Sequence, residues 1–296
     1  MRQSERHGNH LLTDRIMDKE RRSILCPNCK KLINQDEPRC PYCGIANPGA
    51  WWKNNIGARL FFGTDQLIKW IIYVNVALYL ISLLLYPWSS GSSLNPLALL
   101  SPSNKGLLLL GATGTVPIDR LGRWWTLISA NYLHGGVFHI LFNMIAFRQI
   151  APLVLQEYGI NRMVILYTVS GAIGFFVSYL AGIPLTIGAS AAICGLIGAI
   201  LYYGKSRGGL YGQAIFKQIG GWALGIFLFG LLMPGINNWG HGGGIIAGAL
   251  LGMLLGYKER ARERVFHKVL AGAFIAITAL VLVWAVGSGI YYRFLG

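Results

Sequence analysis

Long apolar runs alternate along this chain with short polar and basic connectors, without the one-sided polar face of a soluble amphipathic helix. A helix needs about 20 apolar residues to cross the hydrocarbon core of a bilayer. By that measure, spans are expected at residues 67–86, 137–156, 162–181, 188–203, 213–233, 239–257 and 269–291, while the apolar run 107–110 is too short. Even-numbered spans of a simple serpentine run in one direction, so their starts lie near one face. Three of those starts carry polar groups capable of chemistry. The second opens with His134, His139 and Asn143, the fourth with Gly188 and Ser190, and the sixth with His241. Polar side chains in such places are expensive in lipid and mark candidate sites.

Composition agrees with the pattern. In 296 residues, 54% are apolar and only 12% charged, and the mean hydropathy of +0.48 excludes an ordinary soluble domain of that size. The net charge of +15 is unevenly placed. Lys205, Arg207, Lys217, Lys258, Arg260, Arg262, Arg264 and Lys268 fall in connectors on one face, against Lys105, Arg120, Arg123 and Arg293 on the other. Basic connectors stay inside. The N-terminus is therefore expected in the cytoplasm and the C-terminus outside, in a multi-pass plasma (inner) membrane protein. The polar, basic first 24 residues lack the apolar core of a cleavable signal peptide. Nothing beyond the basic charge points to nucleic acid, which is not expected as a partner. The chain reads as a basic tail (1–24), a cysteine module (25–48), an interfacial linker (49–66) and a membrane domain (67–296). In the linker, Trp51, Trp52, Phe61 and Phe62 stand beside Lys53 and Arg59 as an interfacial anchor.

The cysteine module pairs Cys26-Pro27-Asn28-Cys29 with Cys40-Pro41-Tyr42-Cys43-Gly44. Two C-x-x-C turns can close a tetrahedral site of four sulfurs. So short a segment cannot build its own core, so the metal would supply most of its folding energy. Structural zinc is the expected ion; a rubredoxin-like iron site and a redox dithiol are the alternatives. The module resembles the zinc-ribbon heads of bacterial membrane proteins and is a candidate adaptor for a cytoplasmic partner.

In the membrane domain, Ser190 and His241 each fall in the first turn of a span, and the two spans are parallel. Glycines at 240, 244, 248, 252 and 256 face the small residues Gly188, Ala192, Gly195 and Gly198, which allows close backbone approach. A serine needs a neighbouring base to become a nucleophile. The fourth to sixth spans contain no Asp or Glu, so the chemistry would be a dyad, Ser190 attacking and His241 shuttling the proton. Free amides at the start of the fourth span, with His139 and Asn143 one turn apart on the second, are candidate oxyanion donors.

These stretches together resemble the rhomboid family of intramembrane serine proteases. The match runs through Trp124-Trp125, His134, His139-Ile140-Leu141-Phe142-Asn143, Gly188-Ala189-Ser190-Ala191 and Gly240-His241-Gly242-Gly243-Gly244, over three quarters of the chain. The resemblance implies an all-α six-helix bundle, here with a seventh C-terminal helix, cleaving transmembrane substrates near their outer end. It implies Ser190 as nucleophile, His241 as base, and His139 and Asn143 as the oxyanion hole. Gly188, His134 and Trp125 would support them, with Trp124 and Trp125 on a membrane-dipping first loop. Three positions depart from the family pattern. Thr126 replaces an arginine after the tryptophan pair, Ala191 replaces a glycine, and Cys194 stands where an aromatic usually packs on the histidine. A catalytically weak or inactive relative that binds transmembrane clients is the competing reading. A structural role for His134 as a hydrogen-bond partner of the first loop is expected, as is Arg148 reaching toward the inner interface or an acid such as Glu157.

Overall fold

The computed structural model describes residues 23–29, 31–50, 64–85, 100–233 and 235–295. Most of the basic tail and the aromatic linker lie outside the described residues. The chain divides into two units, Met1–Gln66 and Leu67–Gly296.

In the first unit, β1 (Ser23–Leu25) pairs antiparallel with β2 (Leu32–Asn34), with Ile24 opposite Ile33. A second turn is closed by the bridge between Arg39 and Ala46. Its core consists of Cys26, Ile33 and Cys40, with Ile24, Cys29, Cys43 and Ile45 packed against them. Cysteines form most of that core, so its stability depends on what the sulfurs hold.

The second unit is helical. α1 spans Thr64–Leu85. The first loop carries three short helices, α2 (Asn104–Leu109), α3 (Thr115–Asp119) and α4 (Thr126–Ser129), then a 3-10 turn at Ala130–Tyr132. Six long helices follow: α5 (Val137–Glu157), α6 (Ile160–Leu180), α7 (Ser190–Arg207), α8 (Gly209–Leu232), α9 (Asn238–Leu255) and α10 (Val265–Phe294). Among the described residues, a helix covers most of each of the seven expected runs, and five helices (α1, α5, α6, α8 and α10) are long and apolar enough to cross a membrane. α7 and α9 have only eighteen residues each; α7 is an interior element, and α9 is rich in glycine on the face it turns to α7. Twelve of the eighteen residues of α7 are buried, against three of twenty-four in α8. A helix wrapped by protein is selected for small contacts, and it need not satisfy lipid along its length.

The centre of the bundle is the α7–α9 seam. Side chains added at Gly244, Gly248 and Gly198 would collide with the carbonyl oxygens of Ala191, Gly195 and Ile245. Further along, a Cβ on Gly252 would lie 3.2 Å from the Ala199 Cα. The contacts 191 with 244, 195 with 248 and 199 with 252 keep one register, so the helices run parallel with backbones touching. The expected glycine ridge is nevertheless split. Gly240 faces Ser178 on α6, and Gly256 lies beyond the helix as its C-cap at φ 67°. α6 packs antiparallel across both α7 and α9, where a Cβ on Gly174 would sit 2.6 Å from the Gly240 oxygen.

The segment between α6 and α7 is stitched to the first loop. Thr113 and Thr186 exchange two backbone hydrogen bonds of 3.1 and 2.7 Å, and the Thr115 and Val116 amides donate to Ile183 and Pro184 oxygens. The Gly188 amide donates to the Ala130 oxygen at 2.9 Å. Ser190 thus enters its helix from a chain already fixed on both sides.

Candidate active site and metal centre

Ser190 is the first residue of α7. The first helical bond there runs from the Ile193 amide to the Ala189 oxygen, so the amides of Ser190, Ala191 and Ala192 have no partner within the helix. They carry the positive end of the helix dipole to the hydroxyl. His241, in the first turn of α9, places its Nε2 2.9 Å from Ser190 Oγ. Its Nδ1 is buried without a hydrogen-bond partner among the described residues, so no third side chain orients the ring.

His139 lies on the other side of the serine. The Gly135 amide donates to its Nδ1 at 3.3 Å, so in the neutral ring the proton resides on Nε2. That nitrogen overlooks Gly188: a Cβ there would be 2.6 Å from His139 Nε2 and 3.7 Å from Ser190 Oγ. Gly188 also adopts φ +121°, which disfavours any side chain. The residue therefore keeps a space open between a ring N–H and the hydroxyl. Asn143 is buried one turn beyond His139, and its Nδ2 donates to the His139 carbonyl at 2.9 Å, leaving its second N–H for another acceptor.

His134 is fully buried, with its ring edge-on to His139 at 5.1 Å and a backbone contact to Tyr132 of the first loop. Arg148 stands exposed on α5, while Glu157 accepts from Gln156 Nε2 of the same helix at 3.0 Å and from Tyr211 Oη of α8 at 3.2 Å. Trp125 is half-buried under the loop, where a Cβ on Gly111 would meet its ring at 2.6 Å. Thr126, where an arginine was missing, is buried and donates its hydroxyl to the Arg123 oxygen at 2.6 Å. Three residues earlier, Arg123 Nη1 donates to the Leu108 oxygen at 3.2 Å. Cys194 is buried one turn below Ser190, its Cβ 3.3 Å from where a Gly244 side chain would begin.

Sequence reasoning passed over Asn237, the N-cap of α9. Its side chain accepts from the Gly240 amide at 3.0 Å and donates to Ser178 Oγ at 2.7 Å and Thr186 Oγ1 at 2.9 Å. An asparagine four residues before a site histidine was the available signal.

In the first unit, the four sulfurs of Cys26, Cys29, Cys40 and Cys43 lie within 4.8 Å of one another. The pairs Cys26–Cys43 and Cys29–Cys40 are each 3.7 Å apart. The edge of a tetrahedron with metal–sulfur bonds of about 2.3 Å is about 3.8 Å. A disulfide would require about 2.05 Å, so these spacings fit metal ligation. Burial opposes ionisation of the Cys43 thiol, but the Ile45 amide and Asn28 side chain outweigh it and hold the group down to about 7. The Lys31 amide favours the Cys29 thiolate, but burial and the three neighbouring sulfurs push that group up to about 12. A cation would relieve this competition between thiolates. Gly44 turns the chain beneath them at φ 74°.

The Rhomboid domain family profile matches residues 121–258. The protein named "Putative rhomboid protease YdcA" of Bacillus subtilis is 35% identical over 148 residues, 48% of this chain and 72% of that protein. The rhomboid protease GluP of Bacillus subtilis is 29% identical over 209 residues, 71% of this chain and 39% of GluP. RHOMBOID-like protein 4 of Arabidopsis thaliana is 33% identical over 163 residues, 54% of this chain and 41% of that protein. This chain thus spans well under two thirds of the length of the last two relatives.

Proposed function

The chain belongs to the rhomboid family and is a multi-pass membrane protein, and from that premise we propose that it is an intramembrane serine endopeptidase. The observation that carries this is the 2.9 Å contact between His241 Nε2 and Ser190 Oγ beside unclaimed helix amides. All seven long helices cross the bilayer of the plasma membrane, with the N-terminus inside and the dyad near the outer face. Substrates are transmembrane segments that unwind near that face, since a stable helix hides its carbonyls from attack.

In the reaction, Ser190 Oγ attacks the scissile carbonyl as its proton passes to His241 Nε2. The developing oxyanion is received by the Ser190 amide, His139 Nε2–H and the second N–H of Asn143. His241 returns the proton to the leaving amine, then takes one from the water that hydrolyses the acyl-enzyme, which restores the serine. The test is cleavage of tagged single-span substrates in liposomes by wild type and by Ser190→Ala and His241→Ala. Cleavage confined to the wild type supports the reading. Equal handling of the substrates by all three favours a client-binding relative without catalysis.

Gly188→Ala probes the oxyanion site. Its methyl would meet His139, so kcat is expected to fall by about 10²-fold, the scale of one lost oxyanion donor. Unchanged kcat in the same liposomes would remove His139 from the mechanism.

The four cysteines hold zinc, which closes the fold of the head and takes no part in hydrolysis. Zinc binds thiolates, so acid competes with the metal and neutral or higher pH favours retention. Chelation or Cys40→Ala in the full-length protein is expected to release zinc and open residues 23–50 to protease. A head that keeps its protection after zinc loss would refute a structural metal.

A further inference from the structure

Asn237 occupies an unusual position relative to the dyad. In a triad, an acid on the outer ring nitrogen would orient the histidine. Here His241 Nδ1 is buried without a partner among the described residues, so placement of the ring depends on the backbone that carries it. Beyond its packing on α6 and α7, the start of that helix is bonded through one residue. The Asn237 carbonyl accepts the His241 amide at 3.1 Å, and Asn237 Oδ1 accepts the Gly240 amide at 3.0 Å. Asn237 Nδ2 spends its two N–H groups on different elements, Ser178 Oγ of α6 at 2.7 Å and Thr186 Oγ1 of the segment leading to Ser190 at 2.9 Å.

The surroundings leave little slack. A Cβ on Gly240 would lie 3.0 Å from both Asn237 Nδ2 and Ser178 Oγ. Ser178 is itself fully buried and donates to the Gly174 oxygen at 3.0 Å. Thr186 is bridged on its backbone to Thr113, whose hydroxyl lies 3.1 Å from the Thr126 hydroxyl. A continuous polar path therefore runs from the first loop, through the segment before the nucleophile, to the helix of the base. In a low-dielectric surrounding such bonds are strong and their loss is expensive.

We propose that Asn237 is a positioning residue for His241, locking the start of α9 to the two elements that fix Ser190, in the place an orienting acid would otherwise fill. The dyad is then held from its backbone. For kinetics the inference rests on the protease reading above.

Two variants separate this latch from ordinary helix capping. Asn237→Ser keeps an oxygen for the Gly240 amide but is too short to reach Ser178 and Thr186. Thr186→Val removes one acceptor at constant shape, and Thr186→Ser restores the hydroxyl. In liposomes, Asn237→Ser and Thr186→Val are expected to lose about 10- to 100-fold in kcat with KM unchanged, the scale of a misplaced catalytic group. Labelling of Ser190 by a fluorophosphonate should slow in parallel, and Thr186→Ser should recover most of both. Wild-type kcat and labelling in both impaired variants would overturn the proposal. If the wild type itself neither cleaves nor labels, the protease reading fails, and the latch is then decided on the protein labelled with 15N-histidine. Displaced or broadened His241 ring signals in Asn237→Ser and Thr186→Val support it, and unchanged signals overturn it.

Discussion

Ser190→Ala is expected to eliminate cleavage of single-span substrates, with kcat down by at least about 10⁴-fold, while the membrane fold survives. The hydroxyl is the nucleophile, and the methyl left behind fits the space it occupied, so the fold loses one 2.9 Å hydrogen bond to His241 and no packing. His241→Ala should approach the same floor, because a nucleophile and its base act as a unit. The double variant should therefore be little worse than either single one. The measurement is single-turnover cleavage in liposomes, with product mass locating the scissile bond. Residual cleavage by Ser190→Ala at more than a few per cent of wild type would falsify the dyad.

Gly248→Leu should do the opposite, destroying the fold along with any activity. Its Cβ would collide with the Gly195 carbonyl at the middle of the α7–α9 seam, where backbone gives way less than side chain. Helices would have to separate along their length, undoing the contacts of Gly244 with Ala191 and Gly252 with Ala199 as well. Overpacking usually costs about 1–3 kcal/mol, and a clash with backbone in a central helix pair belongs at or above that upper end. The expected readout is a lower thermal midpoint in detergent and loss of fluorophosphonate labelling at Ser190. Gly225→Leu is the matched control. It stands on α8, where nothing lies within 4 Å of a Cβ, so its midpoint should hardly move. Equal stability of the two variants would mean that the seam is not where the bundle holds together.

The residues picked out in the sequence as chemistry-bearing are the ones the fold gathers. Ser190, His241, His139, Asn143 and Gly188 stand at one end of three adjacent helices, because helix starts of like direction fall at like depth. The cysteine spacing likewise anticipated four sulfurs at metal-ligand distances. Other features were not legible. Hydropathy treats α7 as one more run, although most of it is covered by protein. The polar tie between Thr113 and Thr186 joins residues 73 positions apart and has no local signature. The bond from the Arg123 guanidinium to the Leu108 oxygen likewise joins positions that no local pattern pairs.

Local pattern alone determined which segments are helical, which of their ends are polar, and where glycine lets backbones meet, because those properties depend on residue type and spacing along one element. Tertiary structure decided which face of each glycine ridge meets which neighbour, and that Asn237 ties the start of α9 to Ser178 and Thr186. Those outcomes depend on distances between elements far apart in the chain, and packing alone sets them.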